Sequence, residues 1–254
     1  MTAVFVLVRV VPGDPVTLLV NDQNVTKEQA DRLRTQLGLN DPLPVQFGRY
    51  LGNIVTGDLG KSIWSSKSVV SELRARLPIT AELAALAAVF SILLGVPVGI
   101  LTAVKQDRWP DYVFRSMAIA GLSIPGFWLG TLAIVLPAIW WNYSPPLKYV
   151  SPADDPWANA RQFVVPAAIM SLSLSSVLMR MTRSMMLEVL RQDYVRTARA
   201  KGLRETRVVA RHALRNSLIP VVTVFGTQFA VLLGGTVIFE FIFNLKGIGS
   251  YTFL

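Results

Sequence analysis

The 254-residue chain has no cysteine and a single histidine, His212. The first absence excludes disulfides, iron–sulfur clusters and thiolate metal sites, and the second leaves no His-rich metal centre, so no metal site is expected. Charge is scarce as well: 16% of residues are Asp, Glu, Lys or Arg against 52% apolar, with a mean hydropathy of +0.45. That apolar share exceeds the share in an ordinary soluble domain and predicts an integral membrane protein. Catalytic patterns are missing too, with no complete P-loop, no HExxH and no Gly-x-Ser-x-Gly, so no catalytic residue is expected. The GDLGKS run from Gly57 to Ser62 looks like a phosphate loop, but the Walker pattern needs a glycine where Val55 stands. It reads as a plain turn.

What is present is a series of apolar runs. Met1 to Val11 lacks the basic start and the cleavage site of a signal peptide, and covers about half of the ~20 residues needed to cross a hydrocarbon core. It is expected to be a partial first transmembrane helix. Pro12-Gly13-Asp14-Pro15 ends it. Residues 12–77 are polar and mixed in charge, with Thr26 and Gln29 reading as the capping box of a helix to Leu37. This stretch is expected to lie outside the cytoplasm.

Residues 78–254 are expected to form an all-α polytopic bundle. Four complete spans are predicted at about 78–104, 112–141, 163–182 and 217–239, with no further span following. Glu82 is expected one turn from a helix N-terminus at Pro78, where an anion is favoured. Gly95 and Gly99, four apart, allow close helix contact, as do Gly126 and Gly130. The second span is interrupted at Gly121 to Trp128, and ~1.5 Å per residue from Tyr112 places Ser123 about 16 Å deep, near mid-core. A proline there frees a backbone carbonyl, which is tolerable only against protein or water. Ser123, Pro125, Phe127 and Trp128, with Gly234 and Gly235 in the last span, are therefore candidates for lining a substrate path. Simple helix packing explains the same residues equally well. Trp140, Trp141 and Tyr143 suit an interfacial aromatic belt.

The basic residues fix an orientation. Arg180 to Arg215 carries ten basic and three acidic residues, whereas Asn142 to Gln162 carries two of each, so the former is expected in the cytoplasm. The net charge of +9 is concentrated beside apolar spans, which points to lipid headgroups and a cytoplasmic partner rather than nucleic acid. The spans carry almost no ionisable group away from their ends, since Glu82, Arg115, Arg180 and Glu240 are all within reach of an interface. An ion-coupled carrier usually holds a charge at depth. The driving force is expected from elsewhere, with an ATP-independent channel or secondary carrier as the competing reading.

The cytoplasmic loop, residues 183–216, has internal structure. Tyr194, Val195 and Ala198 fall on one side of a short helix and Arg196 and Arg199 on the other, with Gly202 as its C-cap. A second helix from Glu205 carries Arg204, Arg207, Arg211 and Arg215 as a basic stripe. The first piece suits a groove on a partner, the stripe suits lipid headgroups.

These residues resemble a known family. RTARAKG at Arg196 to Gly202 looks like the Glu-Ala-Ala-x-x-x-Gly loop of ABC importer permeases of the dipeptide, oligopeptide and nickel branch. VPGDP at Val11 to Pro15, LGLNDPL at Leu37 to Leu43, LPITAEL at Leu77 to Leu83, LSIPGFW at Leu122 to Trp128 and RHALRNSLIPVV at Arg211 to Val222 extend the likeness in family order. Arg196 and Thr197 stand where the general motif has Glu and Ala. The resemblance implies an importer subunit of a bacterial or archaeal cytoplasmic membrane that moves peptides, or a related solute such as a nickel chelate, by alternating access. It implies that Tyr194, Val195, Arg196, Thr197, Ala198, Arg199, Ala200, Lys201, Gly202 and Leu203 form the loop that docks on a cytoplasmic ATP-binding subunit. ATP and Mg would be held by those partners and no cofactor by this chain. A second homologous permease and an extracytoplasmic solute-binding protein would complete the assembly. The branch usually has six spans, so the chain is expected to be truncated at both ends.

Overall fold

Every regular element among the described residues is helical apart from one isolated β-bridge. The computed structural model describes residues 5–6, 27–36, 38–62, 67–143, 146 and 148–252. The readings on the partial first helix beyond Phe5 and Val6, on the Pro12–Pro15 turn and on Thr26 fall outside them.

The chain divides into two units, residues 1–72 and 73–254. The first holds α1 (Lys27–Gln36) and α2 (Leu43–Val55). The buried Gln46 amide donates to the carbonyls of Leu39 and Asp41, tying the turn before α2 to its first turn. In the GDLGKS run Gly57 and Gly60 take φ of +76° and +77°, the Gly60 N–H donates to the Asp58 carboxylate, and Lys61 pairs with Ser68. Two left-handed glycines and an Asx hydrogen bond make this a turn, and among the described residues no helix begins at it to receive a phosphate.

The second unit is built on α3 (Val69–Val104), which starts in the first, followed by α4 (Trp109–Ser123), α5 (Gly126–Trp141) and α6 (Pro156–Leu190). The chain continues through α7 (Asp193–Ala200), α8 (Glu205–Arg207), a six-residue π-helical turn (Val208–Ala213), α9 (Leu214–Ile242) and α10 (Ile248–Tyr251). Among the described residues three helical stretches, 69–104, 156–190 and 205–242, are long and apolar enough to cross a membrane. The α4–α5 pair makes a fourth if counted as one broken span.

α3 begins nine residues before Pro78, so Glu82 lies well inside the helix rather than at its N-terminus. Val69 to Leu77 supplies good helix formers, and a proline removes only one intrahelical hydrogen bond. Glu82 is instead held by the Tyr149 hydroxyl, which donates at 3.0 Å, and by the Asn159 amide. α6 starts at an N-cap, Asp155, whose carboxylate accepts from the Trp157 and Ala158 N–H groups at 3.0 Å each.

α3 and α6 run side by side in the same direction. A Cβ on Gly95 would stand 2.7 Å from the Ser175 carbonyl, and one on Gly99 would stand 2.6 Å from Thr182 Cβ, so the two backbones meet where the small residues allow it. The Ser91 hydroxyl reaches Ser171 O at 3.3 Å on the same seam. α9 runs back against both, with the Ser217 hydroxyl on Met186 Sδ at one end and Glu240 on Thr80 at the other. Leu83, Phe163, Leu178 and Val221 fill the core between them.

Candidate functional site

The break between α4 and α5 follows from one dipeptide. Pro125 clashes with an α conformation at the preceding residue, and Ile124 accordingly takes φ −89°, ψ 122°. Pro125 itself has ψ 127°, so two successive extended residues separate the helices, whose axes turn by 88°. The uninterrupted count along one straight span ends at Ser123, and α5 leaves in a new direction. Ser123 closes α4 by donating to Ile119 O at 2.9 Å.

This corner forms one wall of a cavity of about 380 Å³, completed by α6 and α9. Pro125, Phe127 and Gly235 line it, whereas Ser123, Trp128 and Gly234 do not. Gly126 and Gly130 sit against the rings of Phe239 and Phe243, where a Cβ would stand 3.2 and 3.4 Å from the nearest ring carbon, and let α5 lie close on α9. Nothing stands within 4 Å of a Cβ on Gly234 or Gly235, so neither is a packing glycine within this chain. Met170, Ser173, Gln228 and Phe239 also line the cavity, although none stood out as a path residue in the sequence. Their signal is a convergence of four helices that no linear run displays.

At the far end of α6 stands α7. Val195 and Ala198 are buried against Val189, Leu190, Leu203 and Val208, so its apolar face seats the helix on its own chain. Val195 and Ala198, part of the piece expected to suit a partner's groove, therefore face inward. The surface it offers is polar and small instead: Arg196, Thr197, Ala200 and Lys201, with Tyr194 43% exposed. Gly202 takes φ +76° just beyond the C-cap, and its N–H donates to Arg199 O at 2.9 Å. Arg199 grips Glu205 through both carboxylate oxygens at 2.7 and 3.1 Å, bridging that turn. The Arg199 guanidinium holds the Glu205 carboxyl below its ordinary range, outweighing a small desolvation that opposes it. The Asn216 amide donates to Tyr194 Oη at 2.8 Å, fastening α7 to α9.

The basic stripe Arg204, Arg207, Arg211 and Arg215 is exposed throughout, but it is carried across the π turn rather than along a plain α-helix. There the Leu214 N–H reaches back five residues to Val209 O.

Two buried charges were not legible in the sequence. Asp111, fully buried, receives Nε and Nη2 of Arg183 at 2.8 and 2.7 Å, joining α4 to α6. Glu240, placed by sequence within reach of an interface, is enclosed by protein: its carboxylate accepts from the Thr80 hydroxyl at 2.6 Å and the Ser250 N–H at 2.8 Å. Among the described residues no three of His, Cys, Asp and Glu gather closely enough to hold a metal ion.

Two family models cover most of the chain. Residues 95–254 match the binding-protein-dependent transport system inner membrane component, and residues 1–84 match the N-terminal part of such a membrane component. A putative peptide transport system permease protein of Brucella suis is 42% identical over 245 residues, covering 96% of this chain and 78% of the relative. Glutathione transport system permease proteins of Pectobacterium atrosepticum and Escherichia coli are each 38% identical, covering 98% and 97% of this chain and 78% of each relative.

Proposed function

The chain belongs to the inner membrane components of binding-protein-dependent transport systems, and from that premise we propose that it imports peptides, or a related small solute such as glutathione or a nickel chelate, by ATP-driven alternating access. It is a membrane permease subunit and not a catalytic enzyme. The ATP and Mg chemistry belongs to cytoplasmic ATP-binding subunits, a solute-binding protein delivers cargo to the outer face, and a second homologous permease completes the path. The membrane is the bacterial cytoplasmic membrane, with residues 183–216 on its inner side and lipid headgroups beside the arginine stripe.

The observation that carries the reading is the course of α6. Ile169 and Leu174 line the cavity, and Val189 and Leu190 lie under Val195 and Ala198 of α7. One continuous helix thus joins the solute cavity to the outward polar face at Arg196 to Gly202, over roughly 24 Å at 1.5 Å per residue. Closure of the ATP-binding subunits on α7 would tilt α6, and the Asp111–Arg183 pair would carry the movement into α4 and the Ile124–Pro125 corner. Pro125, Phe127 and Gly235, with Ser123, Trp128 and Gly234 nearby in sequence, are the path residues in this proposal.

The test is uptake of labelled trialanine into proteoliposomes holding the complete assembly. Uptake that needs hydrolysable ATP supports the proposal. Equal uptake with a non-hydrolysable analogue, or uptake driven by an ion gradient, identifies a channel or secondary carrier and overturns it.

A further inference from the structure

The four spans contain a single side-chain amide, Gln228. It lies 11 residues beyond Ser217, about 16 Å along α9 at ~1.5 Å per residue, which is the middle of a ~30 Å core. Ser173, ten residues beyond Phe163 on α6, comes to about the same depth at ~1.5 Å per residue. Both line the cavity at the α4–α5 corner, whose other walls are apolar.

Their hydrogen bonding sets them apart. Ser171, Ser175 and Ser176, the neighbouring serines on α6, each donate to a carbonyl three or four residues back, at 2.7, 2.6 and 2.8 Å. Thr223 and Thr227, beside Gln228 on α9, do the same at 3.3 and 2.9 Å. Gln228 and Ser173 make no side-chain hydrogen bond to any described residue. A glutamine at mid-core depth with an idle donor and acceptor is unfavourable unless something polar enters the cavity.

We infer that Gln228 and Ser173 are the specificity-determining pair of the solute cavity, reading the backbone amide of a passing peptide. This rests on the transport reading above. A carboxamide offers one acceptor and two donors in a plane, the complement of a peptide N–H and C=O, and a hydroxyl lining the same cavity takes either role. Such contacts are indifferent to the solute's side chains, which the walls of Met170, Leu232, Phe239 and Ile124 accept without polar demands. A cavity of about 380 Å³ falls at the small end of ligand sites, ~300–1,000 Å³, and suits a short peptide.

The experiment compares trialanine with its analogue bearing one backbone ester in place of an amide, using the complete reconstituted transporter. One binding protein delivers both, so a change in their uptake ratio arises in the permease. Gln228→Met keeps the length and loses the hydrogen bonds. It is expected to lower trialanine uptake about tenfold, corresponding to ~1.4 kcal/mol, and to leave the ester analogue nearly unchanged. Ser173→Ala, a smaller change that cannot unfold the helix, is expected to shift the ratio in the same direction. Equal loss for both solutes, loss of the partner permease from the purified variant, or no change in either variant would overturn the inference. A wild-type assembly that moves neither solute with ATP fails at the earlier step, the transport reading itself.

Discussion

Asp111 and Arg183, 72 residues apart in sequence, form a two-pronged ion pair with the carboxylate fully buried and the guanidinium side chain only 17% exposed. The Asp107 N–H, from a residue at φ +58°, adds a third hydrogen bond to the same carboxylate at 3.1 Å. Removing one partner of such a pair strands the other, which costs about 3–5 kcal/mol, whereas replacing both by apolar groups is often neutral. Asp111→Ala should therefore melt well below wild type in detergent, while Asp111→Leu combined with Arg183→Leu recovers much of the loss. The double variant should still fail to couple uptake to ATP, because the ionic link between α4 and α6 is gone although their packing remains.

Gly99 offers a packing test. Its Cβ position lies 2.6 Å from Thr182 Cβ and 2.8 Å from the Met179 carbonyl, and a backbone carbonyl cannot step aside. Gly99→Val should destabilise the bundle beyond the ~1–3 kcal/mol usual for overpacking and yield aggregated material on size-exclusion chromatography. Gly234→Ala, with open space at its Cβ, should purify as wild type.

The C-terminal turn is clasped by Glu240. Beyond Thr80 and Ser250, the Ile248 N–H donates to Thr80 Oγ1 at 2.9 Å, and a Cβ on Gly247 would collide with the Glu240 carboxylate. Thr80→Val removes the donor to Glu240 and the acceptor for Ile248 together. A loss of about 1–3 kcal/mol is expected, read as earlier cleavage after Lys246 by trypsin.

The Arg199–Glu205 tie has a definite pH sign. Glu205 titrates lower in the folded loop than in an open chain, so the tie is fully present above the ordinary glutamate value of about 4.3 and is lost only as pH falls through the depressed one. Coupled ATPase activity should not vary with this group across the neutral range. Glu205→Gln should loosen residues 199–205 at neutral pH, seen as faster amide exchange there, with little change in melting temperature since both side chains are largely exposed.

Sequence patterning conveyed the helical class, the long apolar runs and the Gly202 turn because each is a local property. Apolar length makes a span, and a positive φ asks for glycine. It misplaced the start of α3, because Pro78 reads as a boundary although a helix tolerates it when the flanking residues favour helix. The inward seating of Val195 and Ala198 on α7 was not legible for another reason. Val195 and Ala198 stand out in the sequence, but Val208, which covers them, lies across a turn. Asp111 and Arg183 likewise look like ordinary cytoplasmic-end charges until the helices are laid side by side. The cavity residues on α6 and α9 are the extreme case, since Ser173 and Gln228 become neighbours of Pro125 only through the tertiary fold.

The central claim is that α7 couples this permease to an ATPase, and its most direct test is affinity purification in mild detergent from cells expressing the whole assembly, with and without Gly202→Asp. A side chain there meets no neighbouring atom, and holding it at φ +76° strains the turn by about 1–2 kcal/mol, so the fold should survive while the outward face of the turn changes. The account predicts ATP-binding subunits with the wild-type chain, and a folded variant, still holding its partner permease, that has lost them. ATP-binding subunits recovered equally with both, or with neither, would contradict it.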